Sequence, residues 1–523
     1  MIAPSKIAIF IGVIAVYIGY FTHQVQLSDA KYTEWNNSEW HIDQFSRPSF
    51  PIRFINAHFS GANSHGGDSK LLSLMRNYLV TPALDKVVKL MEQADDDDIV
   101  PKILCDSDAR SNLIQRVDGF YTDIQSSQSL TYVGKILLYA TSHMSLTNHH
   151  GLLTIGMKKE VHLQKVKDPV FIASLSRTGS TILHRTMTLD TQRFRSFDFA
   201  DMIAPMPKPI PRWDKKGRME KAKEATKILN GYDIAYPGQM KCMGTMHGVY
   251  ASEAEEELFW YNYALGHPYM EPLMKLYPEH RQKEKLYGIS GTIESKDVAK
   301  YRYAWLELIM KIYQYTDEVE WENRKQSGGR AFLREHSRSS TKLPWLMKDP
   351  NHSAFLPELL EVFPDAKLIF THRDPGEIVP SLAKLSVIFT APDFIPGQVG
   401  SSGKEWGQEA LRRLTYYANG LVDFATAQNN LPSSAYSYPS NGTSRIDLSF
   451  VDLRQDVQGA IGKIYEQLYP DEPRISNVAR RAFETYLEQN RRDKHGNQRR
   501  SLEDFHLTKE DVAFTDYNRM FLS

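Results

Sequence analysis

From Leu71 to Leu163 apolar residues fall three and four apart, in LLSLMRNYLV, LDKVVKLMEQA and YVGKILLYATSHM. That is the spacing of one buried helix face, and it predicts an all-helical lead-in. The acidic run Asp95 to Asp98 separates two of these helices. It reads as a solvated loop, since calcium loops alternate their ligands and carry a glycine at the bend. After Asp168 the period changes. Short apolar runs at Val170 to Ser174, Trp345 to Lys348 and Ala366 to His372 predict strands alternating with helices, the grammar of a parallel α/β sheet. Between the first two lies a long helical insertion that includes Glu253 to Leu265, EAEEELFWYNYAL. A helix over Ser353 to Val362 precedes the third strand, and Asn323 to Pro344 and Asp393 to Lys404 predict long loops.

The N-terminal pattern differs again, with an uncharged apolar run from Ile7 to Phe21 after a single lysine. Its length lies between a secretory apolar region, about 7 to 15 residues, and a spanning helix of roughly 17 to 25. No small-x-small cleavage site follows, and Tyr17 and Tyr20 suit a membrane interface. The expectation is an uncleaved signal anchor over residues 1–27, with a cleaved signal peptide and a buried core helix as alternatives. The chain would then be a single-pass membrane protein of the Golgi or another secretory-pathway lumen. There the sequons Asn36-Asn37-Ser38 and Asn441-Gly442-Thr443 would matter. A helical lead-in over 28–165 and an α/β domain over 166–523 complete the division.

At 523 residues, 41% of them hydrophobic, the chain can bury a large core. Its 63 basic residues balance 63 acidic ones, so no global field attracts nucleic acid, and any anion site is local. Cys105 and Cys242 exclude a disulfide framework and a zinc module, and leave either one disulfide or two thiols.

Candidate chemistry begins where the first strand ends, in SLSRTGSTILHRTM. Gly179, Ser180 and Thr181 open a helix whose free N–H groups and dipole favour an anion, and Arg177 and Thr178 add donors. A Walker loop would place lysine where Ser180 stands, so a single phosphate fits better than a triphosphate. A plain Ser/Thr helix cap is the competing explanation. A second signal, IFTHRDPGEIVPS, puts Arg373 at the carboxyl end of a strand, the edge at which open α/β sheets bind ligands. Pro375 suits the next helix start, and Ser381, eight residues after Arg373, can reach the same phosphate.

SRTGST resembles the 5′-phosphosulfate loop of sulfotransferases, and HRDPGEIVPS is similar to their 3′-phosphate motif. Met347-Lys348-Asp349-Pro350-Asn351-His352 looks like the Leu-Lys-Ser-Pro-x-His segment of one branch, and its Lys-Asp-Pro is similar to the tyrosylprotein sulfotransferases. The tail NRRDKHGNQRRSLEDFHL resembles the branch's C-terminal Lys-x-Gly element, through Lys494 and Gly496. Thr178, Ser180 and His506 depart from the family's usual serine, threonine and glycine. The resemblance runs from about residue 120 to the end. It implies a P-loop-like three-layer fold over 166–523, with a central parallel sheet and large helical insertions. It also implies 3′-phosphoadenosine 5′-phosphosulfate as co-substrate, held by Arg177, Thr178, Gly179, Ser180, Thr181, Arg373, Ser381, Lys494 and Gly496.

Sulfuryl transfer needs a hydroxyl in line, a base for its proton, and cations for the charge growing on the bridging oxygen, with no metal. Arg177 and Lys348 are the cationic candidates. Asp201, four residues before Pro205-Met206-Pro207, occupies the position of the branch's usual glutamate and is the first choice of base. Asp198 competes with it, and Ala200 stands where tryptophan is usual. Of Glu253, Glu255, Glu256 and Glu257, a helix can aim at most two into a cleft, and His247 reads as packed or surface. The reading is a sulfotransferase acting on a hydroxyl of a glycan, lipid, sterol or other small acceptor, with no nucleic-acid partner. A catalytically inactive phosphonucleotide-binding protein and a P-loop kinase are the alternatives; the missing Walker lysine counts against the kinase. The basic stretch with Arg324, Lys325, Arg330, Arg334 and Arg338 reads as a solvated loop, since Glu322 and Glu335 interleave with it.

Overall fold

A computed structural model describes residues 72–127, 130–203, 209–235, 239–264, 296–335, 341–390, 403–430, 445–472, 474–490 and 501–523. The apolar run 7–21, both sequons, residues 205–207, Lys494 and Gly496 lie outside them, as do Arg338 and most of 393–404. The expectation of a single-pass Golgi membrane protein held by an N-terminal helix is corrected. Among the described residues no helix is long and apolar enough to cross a membrane. The run that prompted the expectation, Ile7 to Phe21, is itself shorter than the roughly 17 residues a spanning helix requires.

Four strands, β1 (Val170–Ile172), β2 (Leu346–Lys348), β3 (Lys367–His372) and β4 (Arg445–Ser449), form one parallel sheet in the order β2-β1-β3-β4. The first three are those the apolar runs predict. β4 escaped notice because only Ile446 and Leu448 of its five residues are buried. Successive residues face opposite layers, as the period of two demands. Phe171, Met347, Leu368 and Phe370 join one apolar cluster with Val87, Leu146 and Trp305 of the helices before and between the strands. Val170, Ile172, Leu346 and Ile369 join a second cluster with Leu183, Ile461 and Tyr465. The sheet is therefore the middle of three layers.

The helices that matter below are α1 (Thr81–Asp96), α2 (Ser107–Ser126), α3 (Tyr132–Gly156), α4 (Ser180–Met187), α5 (Phe199–Ile203), α6 (Lys215–Ala235), α7 (Lys296–Gln326) and α8 (Pro375–Thr390). α1 to α3 form the predicted lead-in and share the first cluster with the sheet. α1 runs to Asp96, into the acidic stretch, and Asp95 pairs with Arg110 at 3.0 Å. Cys105 is a free, buried thiol, pushed up to about 11 by burial and by Asp95 and Asp106.

Two predicted elements differ. Glu253 to Glu257 is not helical; the helix begins at Leu258 and is described to Ala264. The segment before it is pinned by a bridge between Asp198 and Ala254 and by Phe199 N–H donating to the Glu253 carbonyl at 2.9 Å. Asn323 to Pro344 is not one loop. α7 continues to Gln326 and a short helix, Arg330–Glu335, follows, with Phe332 packed edge-on to Trp213 at 5.2 Å.

Candidate active site

β1 stops at Ile172, and the chain turns through Arg177 (φ 66°) and Gly179 (φ 85°) into α4. Both angles are left-handed. Glycine adopts one freely, and a Cβ at 179 would also meet the Leu453 side chain at 3.0 Å. At Arg177 the cost, roughly 1–2 kcal/mol, is offset by what the residue gains. Its Nε donates to Ser381 Oγ and its Nη2 to the Met246 carbonyl, both at 3.0 Å. Its own carbonyl accepts from Arg373 Nη1 at 3.0 Å. Thus Arg177, Arg373 and Ser381, far apart in sequence, form one group. Arg373 also pairs with Glu377 at 2.7 Å and lies 4.3 Å over the Phe450 ring.

Thr178 faces the other way. Fully buried, its hydroxyl donates to the Leu175 carbonyl at 2.8 Å and meets Thr371 Oγ1 of β3 at 2.6 Å, pinning the loop to the sheet. Ser180 and Thr181 form the first turn of α4, whose early amides have no partner within the helix.

β2 runs beside β1 with Lys348 opposite Ile172, which delivers its ammonium to the same loop. Lys348 Nζ donates to Thr181 Oγ1 at 3.2 Å and pairs with Glu256. Glu255 lies 3.9 Å away. The non-helical segment before Leu258 lets three consecutive glutamates reach different partners. Glu255 is fully buried against Arg185 (2.6 Å) and His247 (3.1 Å). Burial disfavours its charge, yet His247, Arg185 and Lys348 outweigh burial and hold it well below the usual carboxylate range. Glu257 accepts the Lys348 backbone N–H at 2.9 Å and pairs with His352. Glu256, between them, keeps a fifth of its side chain exposed and lines a cavity with Arg177, Ser180, Thr181, His247 and Asp349.

Asp349 caps the 3₁₀ turn Pro350–Ala354 through Oδ1, which accepts from Asn351 N–H at 2.8 Å. Its Oδ2 is buried with no hydrogen-bond partner among the described residues. Burial, joined by Glu257 and Glu256 against the pull of His352, pushes it up to about 7.

Asp201 is not brought to this cavity. On α5 it is 3% exposed and accepts from Lys221 Nζ (3.1 Å), Tyr313 Oη (3.2 Å) and Asp198 N–H (3.0 Å). Burial opposes its charge, but Lys221 and Arg218 keep it below the usual range. Asp198 pairs with Arg218 and lies off the loop too. Among the described residues no group of three or more His, Cys, Asp or Glu is arranged to hold a metal ion. Sequence reasoning passed over Glu255 and Glu257 as partners of Arg185 and His352, and over Asp349. The run of three glutamates two residues after Glu253 was the available signal, misread through a helical period.

The model of the sulfotransferase family matches residues 169–471, more than half of the chain, from β1 past β4. No curated protein matches it. Among solved structures, sulfotransferase STF9 from Mycobacterium avium is 17% identical with a TM-score of 0.56, over 84% of this chain and 95% of its own. Sulfotransferase STF1 from Mycobacterium tuberculosis H37Rv is 19% identical with a TM-score of 0.50, over 81% and 97%. These likenesses concern the fold, and the matched region contains the loop, Lys348 and the Arg373 turn together: the chain belongs to the sulfotransferase family.

Proposed function

We propose that the chain moves a sulfuryl group from 3′-phosphoadenosine 5′-phosphosulfate to a hydroxyl of a glycan, lipid, sterol or other small acceptor. One observation carries the reading: the Lys348 ammonium lies between the Thr181 hydroxyl, in the first turn of α4, and the cavity-lining Glu256 carboxylate. A cation is thereby held where an anion would meet the loop, next to a base. Arg177, Gly179, Ser180 and Thr181 hold the 5′-phosphosulfate, with Thr178 fixing the loop's shape. Arg373 and Ser381 hold the 3′-phosphate. Lys494 and Gly496 keep the role the resemblance implies.

Lys348 neutralises charge on the bridging oxygen as its bond to sulfur breaks and the acceptor oxygen bonds to sulfur from the opposite side. Glu256 takes the acceptor proton, in preference to Asp201, because it lines the loop cavity while Asp201 is committed to Lys221 and Tyr313. At rest the Glu256 carboxylate is engaged by the Lys348 ammonium. Once the ammonium turns to the donor, that pairing loosens and the carboxylate is freed, so donor binding arms the base.

Calorimetric titration with adenosine 3′,5′-bisphosphate tests the donor. The expected result is binding that Arg373→Ala weakens by about 1.5–3 kcal/mol, the worth of a charge-assisted hydrogen bond, with a smaller loss for Ser180→Ala. No binding by the unaltered chain would refute the reading.

A further inference from the structure

A large cavity lies away from the loop. It has a volume of about 1130 Å³ and lies beyond the last turn of α4, where Thr188, Thr191 and Gln192 meet Arg195, the start of α6 and the helix Arg330–Glu335. Its lining shares no residue with that of the loop cavity. α4 separates them, and eight helical residues span about 12 Å. The volume is just above the range of a typical small-molecule site, about 300–1,000 Å³, and so has room for a ring and its anionic group.

Its chemistry is lopsided. Five basic side chains, Arg195, Arg212, Lys215, Arg218 and Arg324, line it against two acidic ones, Asp198 and Asp317. The acids are already engaged: Asp317 pairs with Arg195 at 2.7 Å, and Asp198 pairs with Arg218. Asp317 also accepts the Arg212 backbone N–H at 2.7 Å. The Arg212 guanidinium donates to the Thr191 carbonyl and sits 5.7 Å over the Trp213 ring. Burial and the neighbouring Arg195 and Arg218 push it down to about 10, against the pull of Asp317. A guanidinium so crowded is stabilised by any anion that enters. Aromatic walls complete the cavity: Trp213 meets Phe332 edge-on at 5.2 Å, and Arg324 lies 4.9 Å over Phe332. Arg324, from the basic stretch that reads as solvated loop in the sequence, thus faces a partly open cavity with aromatic walls.

We propose that this cavity is a second binding site, for an organic sulfate or phosphate with a planar ring, its anionic group on Arg212 and Lys215 and its ring against Trp213 and Phe332. Guanidinium forks match such tetrahedral anions, and indole and phenyl rings hold a planar body. The site does not depend on the identity of the donor.

The test uses the full chain and 4-nitrophenyl sulfate, whose ring quenches a tryptophan it touches, with 4-nitrophenyl phosphate and inorganic sulfate beside it. Saturable quenching is expected, at least tenfold weaker in Arg212→Ala and weakened in Lys215→Glu, and unchanged in Ser180→Ala and Arg373→Ala. Trp213→Phe should remove most of the quench while calorimetry still registers binding. Lys215 is exposed at the start of α6, so its variant keeps the test valid should Arg212→Ala unfold. The phosphate ester reports which anion is preferred. Inorganic sulfate binding as tightly as the esters would overturn the ring's part in the proposal. Quenching lost in Ser180→Ala or Arg373→Ala but kept in Arg212→Ala and Lys215→Glu, or no saturable quenching, would overturn the site. No nucleotide is present, so failure of the donor reading leaves this result interpretable.

Discussion

Replacing Lys348 by methionine keeps most of the side chain's volume and removes its charge, which separates two roles the residue combines. In the folded chain the Lys348 side chain is 1% exposed, and its ammonium pairs with Glu256 and stands 3.9 Å from Glu255. Breaking a buried pair by removing one partner costs about 3–5 kcal/mol, because the other charge is left without compensation. The low end, about 3 kcal/mol, applies here, since Glu256 is partly exposed and Glu255 keeps Arg185 and His247. Sulfuryl transfer should fall further than stability does. Removing one preorganised donor to developing charge costs about 100- to 1,000-fold in kcat. The double variant Lys348→Met with Glu256→Gln distinguishes the two losses. With no carboxylate left uncompensated at 256, stability should recover by most of the 3 kcal/mol estimated above. Turnover should not recover, because both the cation and the base are gone. Urea unfolding measures the first quantity, and release of adenosine 3′,5′-bisphosphate from the donor measures the second. If the double variant regains turnover together with stability, Lys348 is only a structural counter-ion and the mechanism is refuted.

Gly179→Ala should lose about 1–2 kcal/mol for the left-handed angle and bind adenosine 3′,5′-bisphosphate more weakly, since Phe450 and Leu453 crowd the new carbon; unchanged thermal stability would contradict the geometry. Asp201→Asn should destabilise the chain by leaving Lys221 buried without its carboxylate, at the cost of roughly 3 kcal/mol. Turnover per folded molecule should be far less affected than in Glu256→Gln; equal kinetic losses would restore Asp201 as the base. Asp349 has a folded-state pKa of about 7, raised above its unfolded value near 3.8. Its contribution to stability is therefore complete below about pH 4 and is lost as pH rises through about 7. Asp349→Asn keeps the cap acceptor and removes the titration, so the variant should gain on the order of 4 kcal/mol over the parent at pH 8 and little at pH 4. A constant difference across that range would show that the carboxyl does not titrate there.

What the sequence disclosed was local. A strand, a loop rich in Gly, Ser and Thr, and a helix start are neighbours in the chain, so Arg177 to Thr181 can be read in order. The Arg373 turn is legible for the same reason. Lys348 was legible through its segment, and its delivery to Thr181 follows from β2 lying beside β1. The glutamates were not legible, because their arrangement is decided by distant residues. Arg185, Lys348 and His352 draw three successive carboxylates to three places, and the bridge at Ala254 holds the backbone out of the helix that glutamate would otherwise favour. Asp201 shows the same limit: its chain distance from a Pro-x-Pro is legible, while its partners Lys221 and Tyr313 come from distant helices. Asp349 shows a third limit, since its burial is a tertiary fact.

The sheet order carries a consequence for how the chain is made. β1 is central, and its partners lie far downstream: Val170 pairs opposite Leu346 and Lys367, 176 and 197 positions later. At about 5–20 residues per second of synthesis, Val170, Phe171 and Ile172 wait roughly 10–40 seconds for a neighbouring strand. An unpaired apolar strand left so long is an aggregation hazard. The helices made earlier supply a first shelter. Leu84, Phe120, Leu146 and Leu152 of α1 to α3 belong to the same apolar cluster as Phe171. They can cover that face of β1 before β2 emerges, leaving Val170 and Ile172 exposed on the other until the chain that follows can enclose them. On this account truncating the lead-in lowers the yield of soluble chain during synthesis more than it lowers the stability of chain already folded.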